Sequence, residues 1–250
     1  MVEFQKKELK KLEIQTLTPD FPGLKYSFLL YGPSKGGKTT FSSCFPKPLF
    51  LTTEPGPYGG LLSIRYKNPR FIKINSLADA HDALKQFKTK DPSVETLVCS
   101  SLTYLSRIIA HEVAEQYGRE YPVPTDYGLI GDKVRNFVIK MCELPYTSIF
   151  ECNDHIITFA TELSAKGQIE PDLPGRMARD MPAIIDEIFY MYRERVRNKE
   201  EKTWEQKVYI LTCPDPAKNI AIAGDRSLAL ETQELADYEQ IAAKLKGGKK

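Results

Sequence analysis

An α/β fold with a mainly parallel sheet flanked by helices is the class this 250-residue chain predicts, and three observations predict it. Short apolar runs bounded by Pro, Gly, Asn or Ser recur through the first two thirds, with amphipathic segments between them. That is the pattern of parallel strands joined by crossover helices. The last third changes to two longer strand-like runs joined by a charged turn, an antiparallel C-terminal hairpin that extends the sheet. With no internal repeat and no low-complexity linker, a single domain is expected. It divides into an N-terminal arm over 1–24, a core over 25–230, and a C-terminal helix with a basic tail over 231–250.

The elements follow in order. Tyr26–Tyr31 is the first strand, and Phe41-Ser-Ser-Cys-Phe45 is a short helical stretch closed by Pro46. Pro48–Thr53 and Arg70–Asn75 are the next strands. Ser76 caps a helix running to about Lys88, with Asp79 in the capping-box position. Thr96–Ser100 and Thr147–Cys152 are strands; Leu102–Tyr117 and Asp132–Glu143 are helices. Asp186–Arg195 and Trp204–Cys213 form the hairpin, and Tyr238–Leu245 is a closing helix. Two long connections, Gly118–Gly131 and His155–Pro182, are rich in Gly, Pro and charge, as functional or mobile loops are.

Composition excludes several classes. At 42% hydrophobic and 27% charged residues the chain is an ordinary soluble globular protein. No apolar run approaches the roughly 18 residues of a membrane span. The charged N-terminus lacks the apolar stretch of a secretory signal, so a cytoplasmic protein is expected. Five cysteines at 44, 99, 142, 152 and 213 stand singly, without zinc spacing or a disulfide framework, and read as small buried hydrophobes. Basic residues gather at Lys6–Lys11, Arg193–Lys202 and Lys244–Lys250, each run either a solvated face or a nucleic-acid contact.

The most specific motif follows the first strand. In Gly32-Pro33-Ser34-Lys35-Gly36-Gly37-Lys38-Thr39-Thr40 the spacing G-x-x-x-x-G-K-[ST] is met, between a strand and a helix as a phosphate-binding loop requires. Glycines let backbone N–H groups curl around phosphate oxygens that a Cβ would hold away. Lys38 then reaches the β/γ-phosphates of ATP, the Thr39 hydroxyl ligates Mg²⁺, and the helix N-terminus faces the anion.

Two further positions belong to hydrolysis. Leu49-Phe-Leu-Thr-Thr-Glu54 puts a carboxylate at the C-terminal edge of a strand, where open α/β sheets bind ligands, and Glu54 is placed to polarise an attacking water. The acid expected at the end of an apolar strand to help hold Mg²⁺ is replaced by Ser100 in Thr96-Leu-Val-Cys-Ser100. A serine hydroxyl brings no negative charge, so metal affinity or turnover should suffer unless another acid compensates.

Four blocks, YGPSKGGKTT, PLFLTTEPG, TLVCSSLTYLS and GQIEPDLPGRM followed by DEIFYMY and PAKN, lie within residues 26–219. In this order they resemble RecA-like ATPases, and most closely the phage single-strand annealing recombinases of that superfamily. PDLPG at 171–175 is more selective than the phosphate loop. The resemblance implies a RecA-like core, ATP and Mg²⁺ as cofactors, and action on single-stranded DNA as a homo-oligomeric ring or filament, in the host cytoplasm if phage-encoded. It implies Glu54 as the catalytic glutamate and a γ-phosphate sensor at Asn153 or, in another register, Thr161. Lys218 resembles the basic residue offered to a neighbour's nucleotide, with Arg226 as a nearby substitute. The two long connections resemble the DNA-contacting loops, with Tyr121, Tyr127, Lys133, Lys166, Arg176 and Arg179 as candidate contacts. Two readings stay open: an ATPase of recombination, repair or annealing, and a hydrolysis-poor assembly module of the same fold. A small-molecule phosphotransferase fits less well, because no acceptor-binding constellation is visible.

Overall fold

The computed structural model describes residues 25–158, 167–197 and 203–247. The N-terminal arm, Thr161, Lys166, the hairpin turn and the last tail residues lie outside the described residues. The elements are β1 Ser27–Gly32, α1 Lys38–Ser42, β2 Pro48–Thr52, β3 Arg70–Lys73, α2 Leu77–Gln86, β4 Thr96–Ser100, α3 Leu102–Gln116 and α4 Tyr127–Cys142. They continue as β5 Thr147–Thr158, β6 Gly167–Pro171, α5 Met177–Ile184, β7 Glu187–Arg197, β8 Trp204–Leu211, β9 Gly224–Asp225, β10 Gln233–Leu235 and α6 Tyr238–Gly247.

The sheet runs β10-β8-β7-β1-β5-β4-β2-β3. Every neighbour from β7 to β3 is parallel, and β8 and β10 add antiparallel strands at one side. The expected α/β class, with a C-terminal antiparallel extension, is what the chain adopts. The core strands are largely apolar because both faces are covered. Alternation then sorts their side chains: Leu29 and Tyr31 point into one cluster with α2, α3, α4 and α5, while Phe28 and Leu30 point into the other with α1, residues 59–67 and α6. Each large apolar side chain so buried contributes about 1.5–3 kcal/mol.

Helix starts follow local chemistry. The Ser76 hydroxyl accepts from the Asp79 amide at the start of α2, and the Asp79 carboxylate accepts from the Asn75 amide at the residue before the cap. Ser101 caps α3 in the same way through the Tyr104 amide.

Three expectations are corrected. The connection His155–Pro182 is not a long loop: β5 continues to Thr158, β6 folds back on it, and α5 follows. Pro182 inside α5 and the run of charge hid these elements. The connection Gly118–Gly131 is also shorter, because α4 starts at Tyr127 rather than Asp132; Gly128 and Gly131 mask its first turn. Just before it, the Asp126 carboxylate accepts from the Val123 amide and pairs with Arg119 at 2.9 Å, ordering the approach. Finally, not all cysteines are buried: Cys99 and Cys152 are, but Cys44 is exposed beside the Lys67 ammonium. None of the described helices is long and apolar enough to cross a membrane.

Candidate functional site

The sheet order itself creates the site. β1 lies between β5 and β7, and both neighbours run on beyond its end at Gly32. β5 pairs with β6 and β7 with β8 past that edge, so the loop Pro33–Gly37 opens between two antiparallel hairpins. A cleft of about 360 Å³ results, lined by residues 34–40, Glu54, Gly59, Gly60, Leu62, Ser63, Glu151, Asn153 and Arg193.

Glycine is required at two points. A Cβ on Gly32, whose φ is +149°, would lie 2.2 Å from the Met191 carbonyl oxygen of β7. No side chain there could keep β1 paired with β7. Gly37 has φ +107° and faces Val208 of β8, so the second hairpin packs against the loop as it enters α1. Because α1 spans only five residues, the anion site rests on loop amides and Lys38 more than on a helix macrodipole.

Lys38 is buried, and its Nζ donates to the carbonyls of Gly32 at 2.7 Å and Pro33 at 3.0 Å. Desolvation lowers its pKa, while the carboxylates of Glu151, Asp154 and Glu54 work against that fall. Its neighbour Thr39 donates to Glu151 Oε2 at 2.9 Å. Ser100, at the end of β4, donates to the same oxygen at 2.8 Å. Ser100 and Glu151 are register partners on adjacent parallel strands, so their side chains share a face. Glu151 is 1% exposed, and its Oε1 has no hydrogen-bond partner among the described residues. Burial pushes its pKa up; the hydroxyls of Ser42, Ser100 and Thr39 and the Lys38 ammonium pull it back.

Glu54 follows β2 and reaches the same place. A Cβ on Gly60 would stand 2.9 Å from Glu54 Oε2 and 3.7 Å from Thr39 Oγ1, so carboxylate, hydroxyl and the glycine backbone converge. The segment 59–67, a 3₁₀ stretch anchored by buried Leu61 and Ile64, brings that glycine over the loop. Asn153 pairs in register with Gly32 and lines the cleft; its amide donates to Thr103 Oγ1 at 3.0 Å.

The remaining candidates divide. Lys218 is not among the cleft-lining residues: its Nζ donates to the Tyr192 hydroxyl at 2.6 Å and sits 4.2 Å from that ring's centre. Arg226 pairs with Asp186 at 3.0 Å, beside the start of β7. The two DNA-loop candidates do come together, since a Cβ on Gly175 would be 3.7 Å from the Tyr127 carbonyl and one on Gly131 3.9 Å from that of Pro174. Tyr121 and Arg176 are exposed and Tyr127 is 42% exposed, but Lys133 is half-buried on α4 and Arg179 faces Glu170 at 3.6 Å.

Sequence reasoning missed Glu151 and Arg193. The one signal for Glu151 is an acid inside the expected strand Thr147–Cys152, which β propensity alone does not explain. Arg193 was visible only as the start of the basic run Arg193–Lys202, because its place at the cleft depends on how β7 pairs.

The residues fit the ligands that a phosphate loop implies. Glycines at 32, 36 and 37 form a cradle that a Cβ would fill, as the 2.7 Å approach of a Gly36 Cβ to the Pro33 carbonyl illustrates. For Mg²⁺ the structure offers oxygen donors, a hydroxyl beside a buried carboxylate with one free oxygen, as suits a hard cation. A family model described as an AAA domain matches residues 24–219, well over half of the chain. No curated protein matches the sequence.

Proposed function

The chain belongs to the AAA domain family, whose members bind nucleotides, and from that membership and the site we propose that it binds and hydrolyses ATP. The carrying observation is the convergence of Lys38, Thr39 and Glu54 on one cleft at the end of β1.

In this reading the loop amides and Lys38 hold the phosphate chain, with the Lys38 ammonium leaving the Gly32 and Pro33 carbonyls for the β/γ-phosphates. Thr39 would hold Mg²⁺, which when bound neutralises charge on the phosphate oxygens. Glu54 orients the attacking water at the far side of the γ-phosphate and accepts its proton. Asn153 is the γ-phosphate sensor, a role that its register opposite Gly32 supports. Arg193, rising on β7 at the cleft wall, adds positive charge where the transferred group develops negative charge. Lys218 is kept as the cation offered to a neighbouring subunit's nucleotide; it would have to leave Tyr192 to act.

The wider role we propose is DNA recombination, repair or annealing, as a homo-oligomer on single-stranded DNA. It rests on the resemblance to phage annealing recombinases. The approach of residues 127–131 to 174–175 supports it, because it brings the backbone at exposed Tyr127 to within van der Waals reach of Gly175, the residue before exposed Arg176. A hydrolysis-poor assembly module is the second reading, favoured by Ser100 at the acid position of β4.

An ATPase assay with and without single-stranded DNA, beside a mass measurement of the oligomer, tests both. Turnover stimulated by DNA in an assembled form supports the first reading. ATP binding without turnover supports the second, and absence of DNA binding even at low salt removes the nucleic-acid role.

A further inference from the structure

The acid missing from the end of β4 has a counterpart one strand away. Resting on the nucleotide reading above, we infer that Glu151 of β5 is the metal-side carboxylate of this site, with Ser100 acting as the strut that aims it.

Position carries the first part of the argument. Ser100 and Glu151 are directly paired in register, and the longer glutamate side chain crosses the gap between strands to bring Oε2 to 2.8 Å from the Ser100 hydroxyl. The same oxygen lies 2.9 Å from Thr39 Oγ1, the hydroxyl a phosphate loop uses for the cation. A carboxylate is therefore beside Thr39, as metal binding requires, although it arrives from a different strand.

Satisfaction carries the second part. One oxygen of this buried carboxylate holds two hydroxyl donors, and the other, Oε1, has none among the described residues, the nearby Ser42 hydroxyl donating instead to the Lys38 carbonyl at 3.1 Å. Leaving a buried acceptor unpaired costs stability, and an apolar residue in β5 would avoid that cost. Glu151 also lines the nucleotide cleft, so the free oxygen belongs to a group facing ligand space. A hydrated Mg²⁺ needs only one or two carboxylates besides phosphate oxygens. No cluster of three acidic, His or Cys ligands is present among the described residues, and none is needed.

Exclusion carries the third. An aspartate at 100 would stand against Glu151 in a buried space, two like charges at about 3 Å. A serine at 100 and a glutamate at 151 are thus one solution. Glu54 is left free for the water side.

The test is equilibrium ATP binding with Mg²⁺ and in excess EDTA, paired with electron paramagnetic resonance of Mn²⁺ added with ATP. Wild type should bind ATP more tightly with Mg²⁺. Glu151→Gln should lose at least about 10-fold of that metal-dependent gain and its bound Mn²⁺ signal, while metal-free ATP binding, relieved of a carboxylate beside the phosphates, is no weaker than in wild type. The exchange variant S100D/E151S, which moves the acid to β4, should recover most of the gain. A Glu151→Gln protein that is folded by thermal melt and keeps the full gain overturns the inference, as does a folded exchange variant with none. If wild type binds no ATP in either condition, the nucleotide reading itself has failed.

Discussion

Placing an aspartate at position 100 supplies the acid expected at the end of β4, yet in this fold it should destabilise the protein. Ser100 Oγ is 2.8 Å from Glu151 Oε2, and both residues are fully buried. Two carboxylates at about 3 Å with an effective dielectric near 20 repel by about 5 kcal/mol. Proton uptake by the pair limits the cost, so roughly 3–5 kcal/mol is expected at about pH 8 and less at about pH 5. The sign follows from linkage. The raised carboxyl pKa makes the folded variant bind a proton that the unfolded chain has lost, and its stability falls as pH rises. Ser100→Asn, of similar volume and uncharged, isolates the steric part, about 1–3 kcal/mol. In thermal melts at high pH, Ser100→Asp should lie roughly 10 °C below Ser100→Asn. The double variant S100D/E151Q should regain most of that difference, a coupling of at least about 2 kcal/mol. Equal stabilities for Asp and Asn at both pH values, or additive effects in the double variant, would refute the charge argument.

Two other perturbations test neighbouring parts of the account. Gly60→Ala sets a methyl 2.9 Å from Glu54 Oε2, which must swing away; single-turnover phosphate release should slow about 10- to 100-fold with ATP affinity nearly unchanged, and an unchanged rate would separate Glu54 from the chemistry. Glu187, fully buried at the start of β7, has its pKa pushed up to about 8 by burial and by the Asp225 carboxylate. Its folded form holds a proton lost by the unfolded chain above about pH 4.5, so it costs stability as pH rises, up to about 4 kcal/mol between pH 5 and pH 8. Glu187→Gln should flatten that part of the melting profile, and a wild-type profile level across this window would contradict it.

How much of this was legible in the sequence depended on whether the signal was local. The phosphate loop was readable because spacing, glycine and the strand before it are all within a few residues. The parallel core strands were readable because burial on both faces leaves a continuous apolar run, as in Tyr26–Tyr31. The N-caps Ser76 and Ser101 each accept from an amide three residues on in sequence, and the first was read directly. What failed was non-local. Glu151 and Ser100 are 51 residues apart and meet only because β5 inserts between β1 and β4. The strand β6 is short and polar, stabilised by pairing with β5 rather than by propensity, so Gly167–Pro171 read as loop. The start of α4 was hidden by two glycines whose helical cost tertiary packing offsets, with Ile130 and Val134 fully buried.

The central claim is that ATP binds at the loop after β1 through Lys38, and calorimetric titration of ATP with Mg²⁺ into wild type and Lys38→Ala tests it most directly. Lys38 is buried and faces the loop carbonyls, so its removal takes away an ammonium held at the base of the cradle. A charge-assisted contact of this kind is worth about 1.5–3 kcal/mol, which predicts at least about 10-fold weaker binding by a variant that still melts cooperatively. The same affinity in both proteins would contradict the account at its foundation.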